Sequence, residues 1–188
     1  MTKKYYQKID LDLSDIDMSR IIGGALQEGY VDTFRSYNLL DDDYFTYCWM
    51  RRINFKIPPQ KVNYTEITGT GAPPHTDPTI AVLNYYVNSA NCVTMFWEPK
   101  GTSLNKQIIE EIYSDGNLNT SQSALYGKEE LVIADKFLAE SHSAYVIRTD
   151  IVHSVAKPEL NTTRQLFRFL WMNMSMEEMI ENLEIIKR

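Results

Sequence analysis

GTGAPPHTDPTIAVLNYYV, residues 69–87, sets a turn-dense loop directly against a run of strand-forming residues. Gly69, Gly71, Pro73 and Pro74 punctuate the loop, and the β-branched and aromatic residues of 79–87 predict a strand bounded by it. His75 and Asp77 stand two positions apart where the chain passes from one to the other. In extended backbone, residues i and i+2 project to the same face, so this imidazole and carboxylate point into one space.

The flanking chain alternates short apolar runs with turn residues. Upstream, Ser14 or Asp17 can cap a helix carrying Ile21, Ile22, Ala25 and Leu26 at helical spacing, interrupted by Gly23-Gly24 and stopped at Gly29. After Asp41-Asp42-Asp43, the aromatic segment 44–57 predicts a strand ended by Pro58-Pro59, and 61–68 a second. Downstream, strands are expected at 93–98, 131–134, 144–148 and 164–172. A helix is expected at 104–113, from Leu104, Ile108, Ile109 and Ile112. The polar stretch 114–128 predicts a surface insertion long enough to serve as an active-site flap. Ser175 and Glu178 have the spacing of a capping box before a last helix. Many short strands with outer helices predict an all-β core with flanking helices, a barrel or double-sheet jelly roll, as one domain over 1–188.

Composition narrows the class further. The net charge of −6 comes with no cluster of five or six Lys or Arg, which argues against a duplex-binding surface. Cys48 and Cys92 form no CxxC pair, so two reduced thiols are expected rather than a disulfide framework or thiolate metal site. The first residues, MTKKYYQKIDLDLSD, contain no apolar core, and no apolar run approaches bilayer length. A cytoplasmic protein without membrane association is the expectation.

A third metal-ligating residue follows a second apolar segment, SAYVIRTDIVHSV, residues 143–155, at His153. Two neutral imidazoles and one carboxylate make the facial triad that leaves positions open on non-heme Fe(II). Arg164 lies eleven residues on, at the start of the expected last strand. A guanidinium is the natural bidentate partner of a carboxylate and keeps its charge when desolvated.

With these residues, the sequence resembles the 2-oxoglutarate- and Fe(II)-dependent dioxygenases. The resemblance runs from about Tyr64 to Trp171 and rests on His75-x-Asp77, the strand leading to His153, Arg164, and TMFWE at 94–98. It implies a double-stranded β-helix (a cupin-like jelly roll) with Fe(II) on His75, Asp77 and His153. It also implies that Arg164 pairs with the distal carboxylate of 2-oxoglutarate. The implied reaction hydroxylates a small molecule or a protein or peptide side chain, using dioxygen and releasing succinate and CO2. Many members place Ser two residues after the arginine, where this chain has Leu166. Arg168 shares the strand face of Arg164 and is an alternative anchor or a substrate-binding charge.

Asn84 and Tyr86 share a strand face with Val82, and Tyr64 lies upstream of the loop. All three are candidate contacts to 2-oxoglutarate or substrate, although a strand tyrosine is more often core with its hydroxyl at the rim. Trp97 either lines the pocket for substrate or packs the sheet, and Trp171 is expected to pack under a helix. His142 has no carboxylate at motif spacing and reads as an exposed or structural histidine. Three alternatives stay open: a non-catalytic cupin-like binding or sensing module, an iron oxygenase independent of 2-oxoglutarate, and, ranked below a metabolite or peptide substrate, a nucleic-acid demethylase.

Overall fold

In the segment AVLNYYVN, residues 81–88, the first six residues are all buried, a pattern that a strand shows only when both faces are covered. The computed structural model, which describes residues 4–22, 27–28, 34–69, 71–102, 105–109, 123–156 and 162–186, shows what covers them. The strands are β1 (Tyr6–Ile9), β2 (Gln27–Glu28), β3 (Phe34–Asn38), β4 (Ile53–Phe55), β5 (Lys61–Thr68), β6 (Ala72–Thr76), β7 (Ala81–Asn88), β8 (Val93–Pro99), β9 (Lys106–Ile109), β10 (Ser123–Tyr126), β11 (Leu131–Leu138), β12 (Ser143–Arg148), β13 (His153–Val155), β14 (Thr163–Leu170) and β15 (Leu183–Ile185). The helices are α1 (Met18–Ile22), α2 (Asp43–Met50) and α3 (Met176–Asn182).

One sheet runs β1-β12-β7-β14-β5-β3-β2 and the other β11-β8-β13-β6-β10-β9, with every recorded pairing antiparallel. From β5 to β8 the chain changes sheet at each step, and from β11 to β14 it does so again. Two such four-strand courses make the fold a double-stranded β-helix, a cupin-like jelly roll.

The period of two sorts the side chains of the larger sheet into two layers. Leu83, Tyr85, Tyr64, Val146, Phe167 and Phe169 face outward into a core shared with Phe45, Phe55, Trp171, Met176 and Met179. Val82, Tyr86, Tyr145, Ile147 and Leu166 face inward, against Phe96 and Phe137 of the smaller sheet. The site therefore lies between the sheets, and the helical layer supports the larger sheet from behind.

Four expectations are corrected. Residues 43–50 are helical although their aromatic composition suggested a strand across 44–57, of which only Ile53–Phe55 is extended. Asp42 decides this, because its carboxylate accepts from the Phe45 N–H at 2.7 Å as an N-cap. Phe45, Cys48 and Trp49 then fall on one helical face toward the core, and packing overrides local β-propensity. The expected helix over 104–113 is also extended at Lys106–Ile109, which pairs with Ser123–Tyr126 as a hairpin. Its Leu104, Ile112 and Tyr113 lie outside the described residues. The first helix does not reach Gly29, because Gln27–Glu28 pair with β3, while Gly23 to Leu26 lie outside the described residues. The turn-dense loop expected before His75 is already strand over Ala72–Thr76, and residues 114–122 of the expected flap lie outside the described residues.

The capping box at Ser175 and Glu178 forms as expected, and both cysteines are free thiols, Cys48 half-buried and Cys92 buried. Trp171 is buried and donates to the Ile57 carbonyl at 3.0 Å. His142 is exposed at a turn, with φ of 56°. Among the described residues, no helix is long and apolar enough to cross a membrane.

Phe45 tests the helical layer, with its ring centroid 4.6 Å from that of Phe167. Phe45→Ala is expected to cost about 3–5 kcal/mol, read as a lowered urea midpoint.

Candidate metal centre

The register of β6 with β13 sets His153 directly opposite His75, with ring centroids 4.3 Å apart. Asp77 follows β6 and is held by its backbone: its N–H donates to the Thr149 carbonyl at 2.9 Å, and the N–H groups of Thr149 and Asp150 both donate to the Ile80 carbonyl. The Thr149 hydroxyl donates to the Thr79 carbonyl at 2.8 Å. The turn after the histidine-aspartate triplet and the turn before His153 are thereby clamped together.

One ligand atom from each of His75, Asp77 and His153 lies within 4.8 Å of the others, a group that could hold a metal ion. The donor set fits one. Each Nδ1 is engaged by a backbone carbonyl, His75 to Pro73 at 2.7 Å and His153 to Ile151 at 3.0 Å. This is the outer-shell bond that fixes a metal-binding imidazole with Nε2 free to coordinate. Both Nε2 atoms face Asp77, at 3.4 Å from Oδ1 and 3.9 Å from Oδ2.

Electrostatics separates the two imidazoles. Burial pushes His153 down to about 4, more than the neighbouring Asp77 carboxylate restores, so it is neutral at physiological pH. Burial acts in the same direction on His75. There the hydrogen bond and charge of Asp77, with the Pro73 carbonyl, outweigh it and leave His75 above the usual imidazole value. Asp77 is raised by burial but held well below the carboxylate range by His75, His153 and Arg168. The Arg168 Nη2 donates to Asp77 Oδ2 at 3.2 Å.

The triad opens onto a cavity of about 110 Å³ between the sheets, lined by Asn84, Tyr86, Arg164 and Arg168 among others. That volume suits a compact polar ligand and is well below the roughly 300–1,000 Å³ usual for drug-sized ones. Thr65 Oγ1, Asn84 Oδ1, Thr94 Oγ1, Arg164 Nε and Arg168 Nε line it as buried polar atoms without a partner among the described residues. Each such atom costs about 1–3 kcal/mol if left unmade, more when charged, so five in one small cavity point to a polar ligand. Arg164 is 4% exposed, and its Nη2 donates to the Tyr86 hydroxyl at 2.9 Å.

The expected residues divide accordingly. His75, Asp77, His153, Arg164, Arg168, Asn84 and Tyr86 all line the cavity. Tyr64 does not. It faces the helical layer, fully buried, and donates to Glu66 at 3.0 Å, because the inward positions of β5 are Thr65 and Ile67. Trp97 also lies elsewhere, packed with Leu131 and Val152 and donating its indole N–H to Ser154 at 2.8 Å. Thr65 and Thr94 were not singled out in the sequence. The alternation that placed Asn84 and Tyr86 also places them, once register is known.

No family model matches the chain, and no curated protein matches it. Among solved structures it is similar to vicilin from Corylus avellana (hazelnut), at a TM-score of 0.40 and 10% identity, over 86% of this chain and 33% of that one. It is also similar to the Lactobacillus farciminis oxalate decarboxylase formate complex, at a TM-score of 0.37 and 11% identity, over 78% and 31%. A Bacillus subtilis oxalate decarboxylase mutant gives 0.37 and 10%, over 79% and 28%. The chain spans about a third or less of the length of these structures. With likeness this distant, the fold rests on the strand order and register described above.

Metal binding should be proton-linked through His75. A raised pKa means that a proton must leave before Nε2 can coordinate, so affinity falls as pH drops through that value, which lies above the ordinary ~6.5. Calorimetric titration with Mn(II) in buffers of different ionisation enthalpy should show proton release that vanishes at high pH. His75→Ala should abolish stoichiometric uptake.

Proposed function

We propose that this chain is an Fe(II)- and 2-oxoglutarate-dependent oxygenase that hydroxylates a small molecule or a peptide side chain. The observation that carries the reading is Arg164, a buried guanidinium in the same cavity as a two-histidine, one-aspartate triad, with no carboxylate partner among the described residues. A buried cation without a counter-charge is costly, and the distal carboxylate of 2-oxoglutarate supplies one. An Fe(II) ion on the triad supplies chelation of the 2-oxo acid and activation of dioxygen, with succinate and CO2 released.

The chain's own residues bind and orient. Tyr86 accepts from Arg164 and stacks under it, with the guanidinium carbon 5.0 Å from the ring centroid, which fixes the direction of the fork. Leu166 lines the cavity and brings no hydrogen-bonding group. Thr65 is its register partner on β5. It is 1% exposed, and its hydroxyl is without a partner among the described residues. Thr65 thus offers, from the neighbouring strand, the hydroxyl that a serine two residues after the arginine would give.

Anaerobic protein with Fe(II) and 2-oxoglutarate should show a chelate charge-transfer band, and aerobic turnover should release succinate. Arg164→Met should weaken 2-oxoglutarate binding about tenfold to a hundredfold, the worth of a charge-assisted contact, with metal uptake unchanged. Thr65→Val should weaken it by a smaller factor. Absence of the band in the iron-loaded protein sinks the reading.

One observation favours a non-catalytic binding module instead. The Arg168–Asp77 pair neutralises the ligand carboxylate without an ion. That reading predicts no stoichiometric Fe(II) or Mn(II) uptake, so the His75→Ala comparison separates the two.

A further inference from the structure

Besides the phenol of Tyr86, the ionisable residues lining the cavity are His75, Asp77, His153, Arg164 and Arg168. With both imidazoles neutral, as coordination requires, two guanidinium charges face one carboxylate and leave an excess of +1. A divalent ion on the triad raises the excess to +3, and 2-oxoglutarate, a dianion, returns it to +1. One positive charge then remains uncompensated in a low-dielectric space, inside a protein whose net charge is −6. Such a focused field attracts an anion into the site.

Geometry says which residue carries that charge. Arg164 is at the floor, 4% exposed. The side chain of Arg168 is 24% exposed, and His75 and Asp77 are exposed to a similar extent, 19% and 18%. The cavity therefore opens on the side of Arg168 and the metal ligands. Arg168 gives one N–H to Asp77 while its Nε is buried without a partner among the described residues. The two arginines stand four positions apart on one strand face, about 13 Å between their Cα atoms at strand rise, with Leu166 between them on that face. Arg164 is fixed on Tyr86 and Arg168 on Asp77, so the two guanidinium groups offer two separate anion positions.

We propose that Arg168 is the anchor for the organic substrate, which is therefore a small molecule carrying a carboxylate that enters beside the metal. The proposal rests on the reading that Arg164 takes 2-oxoglutarate, and it sets the substrate class as acidic.

Arginine-15N-labelled protein loaded with Zn(II), which is redox-silent, tests both steps separately. The Nε–H resonances of Arg164 and Arg168 are assigned by their loss in Arg164→Met and Arg168→Gln. Addition of 2-oxoglutarate is expected to shift the Arg164 resonance. With 2-oxoglutarate saturating, acetate is expected to shift the Arg168 resonance in a saturable way, whereas acetamide, its neutral isostere, leaves it in place. Arg168→Gln should retain 2-oxoglutarate affinity while losing acetate binding by about tenfold or more, and Arg168→Lys should recover part of it. An Arg168 resonance unmoved by acetate, or moved equally by acetamide, overturns the proposal. Failure of 2-oxoglutarate to move Arg164 overturns the underlying reading instead. If Arg168→Gln does not fold, loss of the resonance in Arg168→Lys assigns it, and the acetate and acetamide titrations of the unmutated protein decide.

Discussion

The antiparallel pairing of β6 with β13 is the constraint on which the site depends. It sets two imidazoles opposite each other across one ladder, and the hydrogen bonds linking residues 77–80 to 149–150 close the third side with Asp77. A one-residue slip in that pairing would turn one histidine to the other face of the sheet. Two features hold the register. The ladder is irregular where β6 carries Pro73-Pro74, which have no N–H to donate. On its other side, β6 pairs with β10, opposite His75 and Thr76. The hairpin of β9 and β10 is thus a second flank for the strand that carries His75.

The larger sheet contributes the opposite wall and a different chemistry. Its inward positions on β5, β7 and β14 alternate apolar and polar side chains, so Leu166 and Val82 sit among Thr65, Asn84, Arg164 and Arg168. Against that polarity, the outward positions of the same strands bury Val62, Tyr64, Leu83, Tyr85, Phe167 and Phe169 in the main core. The helical layer of α2 and α3 packs on the outer face of that sheet, and none of its residues lines the cavity.

Much of this was legible in the chain. The i, i+2 rule put His75 and Asp77 together, and the same rule put Asn84 and Tyr86 on the cavity wall. The same alternation along 61–68 turns Thr65 inward and its neighbour Tyr64 outward, to the core position more usual for a strand tyrosine. Of the two readings open for Trp97, the structure shows the packing one, and Thr94 of the same strand lines the cavity instead. Segment 43–50 was misread because tyrosine, phenylalanine and tryptophan favour strands locally. The Asp42 cap and the core beneath Phe45 are what make it helical. That Arg168 pairs with Asp77 depends on a tertiary distance, which no sequence spacing encodes.

Pro73 and Pro74 have a consequence for the choice of ion. They immediately precede His75, fix their own φ angles, and supply the carbonyl that grips the His75 ring. The first ligand thus hangs from a backbone with little freedom to follow the ion. Affinities of first-row divalent ions at nitrogen and oxygen donors rise toward copper, so discrimination has to come from shape. A donor set with a stiff bite disfavours ions that demand a planar arrangement and accepts those content with three ligands on one face. For an ion held on the triad, the two prolines would thereby act on selectivity without contributing a donor atom.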